Sequence, residues 1–288
     1  GLGLGLESIG VSVQVSVGEP GFCIPPSLAY LPGHHLVKAP EDVVIPDVVV
    51  VCDTASRERL GTLADAVTAA PVSIVIDHHA SFNGFGTVHV IDSDAPATAS
   101  LVLRLLDLLD VEISRDIASA VYAGIACDTG SFKFQATTSE TMRTAARLFD
   151  TGIDHAELSR KIFDDEPFAA LQVLGTALNA AVLDRDAVGG QGLVYTSISC
   201  DERGELPELA LERIIEAIRR ATEAEVAAVF KQTDSGVWKC SLRSKTTVDV
   251  GALATQLGGG GHRFAAGYTG GSDVSEMVAT LTAALRDL

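Results

Sequence analysis

Val72-Ser73-Ile74-Val75-Ile76-Asp77-His78-His79 is an apolar run of strand length that ends in one carboxylate and two imidazoles. Burial favours the valines and isoleucines along such a run, which reads as a buried strand. Nothing about packing favours Asp-His-His beside it, because buried polar groups are costly unless partnered. The run therefore delivers metal-binding or catalytic groups to a site, or it is a strand whose terminal histidines are merely solvated.

The neighbouring sequence bears on that choice. Val48-Val49-Val50-Val51-Cys52 is a second apolar run that reads as a buried strand, and it too ends in an aspartate, Asp53, followed by the turn-forming Thr54-Ala55-Ser56. Residues 60–70 between the two runs read as a helix. In a right-handed parallel βαβ unit the two strand ends lie on one edge of the sheet, where open α/β folds bind their ligands. That arrangement brings Asp53 near Asp77, His78 and His79.

Before this unit, residues 1–9 read as a helix closed by Gly10, and the alternation Val11-Ser12-Val13-Gln14-Val15-Ser16-Val17 reads as a strand. The opening Gly1-Leu2-Gly3-Leu4-Gly5-Leu6 is not a dinucleotide fingerprint, since position 6 is Leu and no strand precedes it. Residues 18–46 hold most of the prolines and read as loop, with His34 and His35 at the surface.

Downstream, residues 96–109 read as an amphipathic helix with Thr98 or Ser100 near its start, and Ser114 caps a second helix with Ile117, Val121 and Ile125 on one face. The second helix runs into Asp128-Thr129-Gly130-Ser131-Phe132. An aspartate at the negative end of a helix calls for a compensating cation, which is either a metal or the neighbouring Lys133. Residues 140–151 and 155–184 read as further helices, and Gly189-Gly190-Gln191-Gly192 marks a change to different material.

The remainder reads as strand 193–199, helix 209–221, strands 225–232 and 237–245, helix 248–257 and a closing helix 274–288. Strand alternation puts Arg243 and Lys245 on one face, where Arg243 either forks onto a phosphate or lies on an exposed sheet. Gly258-Gly259-Gly260-Gly261-His262-Arg263 is a flexible loop or, more favourably, a backbone cradle for a phosphate or nucleotide.

Composition bounds these readings. The chain has 288 residues, 47% hydrophobic and 20% charged, enough for two globular domains. No apolar run approaches the roughly 20 residues needed to span a bilayer, which predicts a soluble protein with no membrane partner. A formal charge of -17 argues against duplex DNA or RNA as partner, so a polyanionic substrate must be small or met by metal ions and a local basic cluster. The five cysteines show no CxxC spacing and read as free thiols of a cytoplasmic protein. The chain begins without Met, and its natural start is expected upstream.

Taken in order, Val51-Cys52-Asp53, Ile76-Asp77-His78-His79, Cys127-Asp128-Thr129-Gly130-Ser131-Phe132, Ser241-Leu242-Arg243-Ser244 and the glycine run with Ala265-Ala266-Gly267 resemble the DHH/DHHA1 phosphoesterases. The likeness is greatest to the bacterial nanoRNase and 3'-phosphoadenosine 5'-phosphate phosphatase branch of actinobacterial type. The resemblance implies an α/β protein with a parallel-sheet DHH domain and a smaller α/β DHHA1 domain, the active site lying in the cleft between them. The expected division is a catalytic domain over 1–165, a helical linker over 166–191 and a substrate-binding domain over 192–288.

The resemblance also implies a two-metal centre, most simply manganese with magnesium or cobalt as substitutes, held by Asp53, His78 and Asp128 with Asp53 bridging. Asp77 supports the site and His79 faces the phosphate, while Arg243, Ser244, Gly259, Gly260, Gly261 and His262 hold the nucleotide. The family's first motif, a His and an Asp-x-Asp pair, is expected just ahead of residue 1. The implied activity is hydrolysis of short oligoribonucleotides to mononucleotides and of 3'-phosphoadenosine 5'-phosphate to AMP, in a cytoplasmic homodimer. A linear or cyclic dinucleotide phosphodiesterase and a non-catalytic nucleotide sensor are the alternatives. A family II pyrophosphatase shares the DHH half but not the glycine-rich His motif.

Overall fold

A computed structural model describes residues 1–286, apart from the side chains of Glu208 and Leu209. Three parallel strands, β1 (Val48–Cys52), β2 (Val72–Asp77) and β3 (Val88–Ile91), form a sheet in the order β1-β2-β3. β2 is the central strand, and its Val75 and Ile76 are almost fully buried on opposite faces. Val75 packs with Val51, Leu60 and Val67, whereas Ile76 packs with Ala95 and Leu101. Period-two alternation thus gives this strand two cores. β1 departs from the expected buried strand. It lies at the sheet edge, and only its Val51 is buried.

The helices of this part are α1 (Leu2–Ser8), α2 (Ala64–Ala69), α3 (Thr98–Leu108), α4 (Arg115–Asp128), α5 (Ser139–Asp150) and α6 (His155–Phe163). Ser114 caps α4 by accepting from the Ile117 N–H at 3.3 Å. The apolar face of α4, with Ile117, Val121 and Ile125, packs against Leu103 and Leu106 of α3 and Leu148 of α5. Gly10 adopts a left-handed φ of +87° just after α1, as the expected helix closure requires. Residues 11–17 do not form the expected strand. Val15 makes a single bridge to Val37, no partner strand continues it among the described residues, and Val11, Val15 and Val17 stay exposed.

The long helix expected over 155–184 is broken into α6, α7 (Phe168–Asn179) and β4 (Val182–Asp184). The break falls at Asp164-Asp165-Glu166-Pro167, where proline lacks an N–H and disfavours helix in the residue before it. It also divides the chain into two compact units, Gly1–Asp165 and a second starting at Glu166. The stretch expected as a helical linker therefore contributes α7 and the edge strand β4 to the second unit. The glycine cluster lies within that unit, where Ala187 and Val188 of the one-turn α8 (Ala187–Gly190) join the core.

The second unit holds β5 (Leu193–Ile198), α9 (Cys200–Arg203), α10 (Glu212–Ile218), β6 (Val226–Gln232), β7 (Trp238–Ser244), α11 (Val250–Gln256), β8 (Gly260–His262), β9 (Ala265–Thr269) and α12 (Val274–Arg286). The last two residues of the expected closing helix, Asp287 and Leu288, lie outside the described residues. The sheet order is β4-β5-β6-β7-β9-β8, parallel between β5 and β6 and antiparallel elsewhere. One face packs Phe230 and Leu242 against Leu253, Leu281 and Leu285 of α11 and α12. The other packs Val194 and Val229 against Val173, Ile214 and Ile215 of α7 and α10. Among the described residues no helix is long and apolar enough to cross a membrane.

Candidate metal centre

The parallel register pairs Cys52 with Ile76, so the residues that follow β1 and end β2 meet at one edge of the sheet. Asp53 turns there with a φ of +59°, a conformation aspartate tolerates better than most residues, and its N–H donates to the Ile76 carbonyl at 3.0 Å. Asp128 arrives at the same edge as the last residue of α4. His78 Nε2 lies 3.6 Å from Asp53 Oδ1 and 3.6 Å from Asp128 Oδ2. The ligand atoms of Asp53, His78 and Asp128 all lie within 4.8 Å of one another, and those of Asp53, Asp77 and His79 form a second such group.

The surrounding bonds fix how these groups present themselves. Ala95 offers a carbonyl, which can only accept, 3.1 Å from His78 Nδ1. Nδ1 therefore carries a proton, and it is Nε2 that offers a lone pair when the ring acts as a ligand. His79 Nδ1 likewise donates to Asp77 Oδ1 at 2.7 Å, and the same oxygen accepts from the His78 N–H at 2.8 Å. Asp77 is fully buried, and its Oδ2 has no hydrogen-bond partner among the described residues. Thr98 Oγ1, at the start of α3, donates to Asp53 Oδ1 at 2.8 Å. Sequence reasoning places Thr98 near a helix start but misses this bond, because the partner is 45 residues away.

Asp128 is the electrostatic strain point. Burial first, then the negative charge of Asp53, push its carboxyl up to about 6, against the opposing pull of His78 and His79. Lys133, the alternative cation, makes no ion pair with it among the described residues. The loop after Asp128 is unusual: Gly130, Ser131 and Phe132 all have φ between +55° and +63°. Thr129, fully buried, holds it by donating through Oγ1 to the Ile125 carbonyl and accepting there from the Phe132 N–H. A Cβ at Gly130 would lie 2.5 Å from the Phe134 ring, which would have to move.

Two carboxylates and an imidazole that share a pocket, with a buried carboxylate oxygen left unpaired, suit a divalent cation of oxygen and nitrogen preference. Thiolate ligation does not compete. Neither Cys52 nor Cys127 joins a group of converging ligand atoms among the described residues. Asp53, Cys52, Thr98, Cys127 and Asp128 line part of a cavity of about 350 Å³.

In the second unit, Arg243 and His262 fall in one cross-strand row with Ala265 between them and so share a sheet face. Arg243 Nε donates to Glu216 Oε1 at 3.3 Å and Nη1 to the Leu242 carbonyl at 3.0 Å. Ser244 does not share that face. Alternation turns it to the opposite face, where it is 2% exposed and donates to the Val248 carbonyl at 2.7 Å. The glycine run is likewise no open loop. Gly258 closes α11 with φ +83°, and Gly260 and Gly261 pair with β9. A Cβ at Gly259 would lie 2.1 Å from the Gly267 carbonyl oxygen and one at Gly261 2.6 Å from that of Ala265, so the missing side chains permit backbone packing within the hairpin.

Comparison with known proteins gives the family. Residues 10–125 match the model of the DHH family, N-terminal domain, and residues 190–287 match that of the DHHA1 domain. The chain is 32% identical to the bifunctional oligoribonuclease and PAP phosphatase NrnA of Thermus thermophilus, covering 100% of this chain and 84% of that protein. It is 26% identical to the protein of the same name from Bacillus subtilis, over 88% of this chain and 77% of that one. A crystal structure of an exopolyphosphatase-related protein from Bacteroides fragilis superposes with a TM-score of 0.86 at 24% identity, covering 99% of this chain and 86% of that one, and supports the fold. The chain belongs to the DHH/DHHA1 phosphoesterase family.

Proposed function

We propose that this chain is a manganese-dependent phosphoesterase that releases mononucleotides from short oligoribonucleotides and converts 3'-phosphoadenosine 5'-phosphate to AMP. The observation that carries the reading is the convergence of Asp53, His78 and Asp128 at the sheet edge, with His78 Nε2 equidistant from the two carboxylates. The substrates follow from the names of the relatives, which favour this reading over a cyclic dinucleotide phosphodiesterase or a sensor.

In this reading Asp53, His78 and Asp128 would hold divalent ions, whose chemistry would be to activate a water and to neutralise charge on the phosphate. Thr98 orients Asp53, and the Ala95 carbonyl keeps the proton of His78 away from the ion-facing nitrogen. Asp77 fixes the His79 ring with its protonated Nδ1 turned inward and Nε2 turned to the phosphate. Arg243 and His262, on one face of the second sheet, grip the nucleotide. Glu216 and the Leu242 carbonyl orient the Arg243 guanidinium through Nε and Nη1, and this guanidinium is the charged group offered to a phosphate. In this reading the first unit is the catalytic domain and the second the substrate-binding domain of a cytoplasmic homodimer.

The test is nucleotide release from pApA, from 3'-phosphoadenosine 5'-phosphate and from a cyclic dinucleotide, with manganese, magnesium or chelator. Manganese-dependent AMP from the first two supports the reading. Turnover confined to the cyclic dinucleotide, or unaffected by chelator, contradicts it.

A further inference from the structure

Glu225 immediately precedes β6 and is 9% exposed, although it is neither part of the metal cluster nor ion-paired among the described residues. Its Oε1 accepts from the N–H groups of Thr246 and Thr247, each at 2.7 Å, and its Oε2 from Thr246 Oγ1 at 3.1 Å. Burial alone would raise its pKa. The converging N–H donors outweigh that and hold it below the ordinary range, so the group is an anion within a ring of backbone donors.

The turn it grips joins the two parts of the expected nucleotide grip. Upstream lies Arg243; downstream Asp249 caps α11 by accepting from the Ala252 N–H at 2.9 Å. The first turn of α11 is locked to the hairpin, because the Val250 N–H donates to the Arg263 carbonyl at 2.9 Å. At the next position a Cβ on Gly251 would stand 2.7 Å from the His262 carbonyl oxygen, so helix and hairpin touch backbone to backbone. On the other side the Ser244 N–H donates to the Phe264 carbonyl at 3.1 Å, and Ser244 Oγ closes the turn on Val248. The Thr246–Val248 turn is thus tied both to the strand that carries Arg243 and, through α11, to the hairpin that carries His262, beside the ladder in which both residues pair with Ala265.

We infer that Glu225 is a positioning residue for nucleotide binding, setting the spacing of Arg243 and His262 by anchoring the turn between β7 and α11. The inference rests on the proposed substrate-holding role of those two residues. It requires that loss of the Glu225 charge loosen the grip on the nucleotide without altering the chemical step.

The experiment compares Glu225→Gln, Thr246→Val and Arg243→Ala with the parent chain, measuring KM and kcat for pApA with manganese alongside the thermal midpoint. Expected is a KM about tenfold higher in Glu225→Gln with kcat within about twofold, since hydrogen bonds to a charged group contribute on that scale. Thr246→Val, which loses one of the bonds, moves KM the same way by less. An unchanged KM in Glu225→Gln beside a raised KM in Arg243→Ala overturns the positioning role alone. Unchanged KM in both overturns the substrate-holding reading as well. A fall in kcat that tracks loss of folded protein at constant KM also overturns the inference, reducing Glu225 to a purely structural role. If Glu225→Gln does not fold, an unchanged KM in Thr246→Val overturns it.

Discussion

His78 donates its Nδ1 proton to the Ala95 carbonyl at 3.1 Å, and this bond turns an ordinary strand-end histidine into one whose Nε2 lone pair faces two carboxylates. A residue with that orientation acts as a ligand more than as an acid. His78→Ala is expected to reduce kcat at saturating pApA by more than the roughly 10–100-fold typical of losing an outer partner of a metal ligand. Calorimetric manganese titration of the same variant should show the corresponding loss of binding.

Asp77 binds both the His79 ring and the His78 backbone through one oxygen, with the other buried and unpaired. Asp77→Asn keeps the shape but removes the charge and turns one oxygen into an N–H donor. Manganese affinity is expected to fall about 10–100-fold, with His79 losing its fixed orientation. Titration with manganese under identical conditions checks this.

The raised carboxyl of Asp128 gives the site a pH signature. Its ordinary value of 3.8 is lifted to about 6, so the metal-free chain gains the full benefit of the protonated form below about 4 and loses it as pH rises through 6. Metal binding needs the ionised group, hence affinity should weaken as pH falls from 7 through 6 toward 5, with proton uptake on metal release. Thermal midpoints with and without manganese at pH 5, 6 and 7 measure both effects. The increment from metal should be greatest at pH 7.

Gly130 stands at φ +55° against the Phe134 ring, two residues after Asp128. Gly130→Ala is expected to cost at least about 1–2 kcal/mol for the left-handed conformation, and more for the ring it displaces. The thermal midpoint should drop by several degrees and manganese affinity should fall with it, because the loop that ends α4 carries Asp128.

Much of this site is legible in the chain because its signals are local. Apolar runs that stop at Asp53 and at Asp77-His78-His79 declare both strands and the edge where they meet, and parallel pairing does the rest. The Ser114 cap and the face of Ile117, Val121 and Ile125 likewise announce α4 and so place Asp128. What is not legible depends on distant partners. Residues 11–17 alternate like a strand but find no ladder, so periodicity overstates them. Strand alternation separates Ser244 from Arg243, but nothing local announces the bond from Arg243 to Glu216, 27 residues away. The glycine run reads as a phosphate cradle or a loop, whereas its bare backbone at Gly259 and Gly261 is what lets it pack against β9. Glu225 carries no motif at all, and its significance lies in donors 21 and 22 residues ahead.

The most direct test of the metal-centred account is AMP release from pApA by the parent chain and by His78→Ala, each with manganese and with chelator. The account predicts release by the parent chain only with manganese, and none above background from His78→Ala at equal nucleotide binding. Release that persists in chelator, or parent-like turnover in His78→Ala, would contradict it.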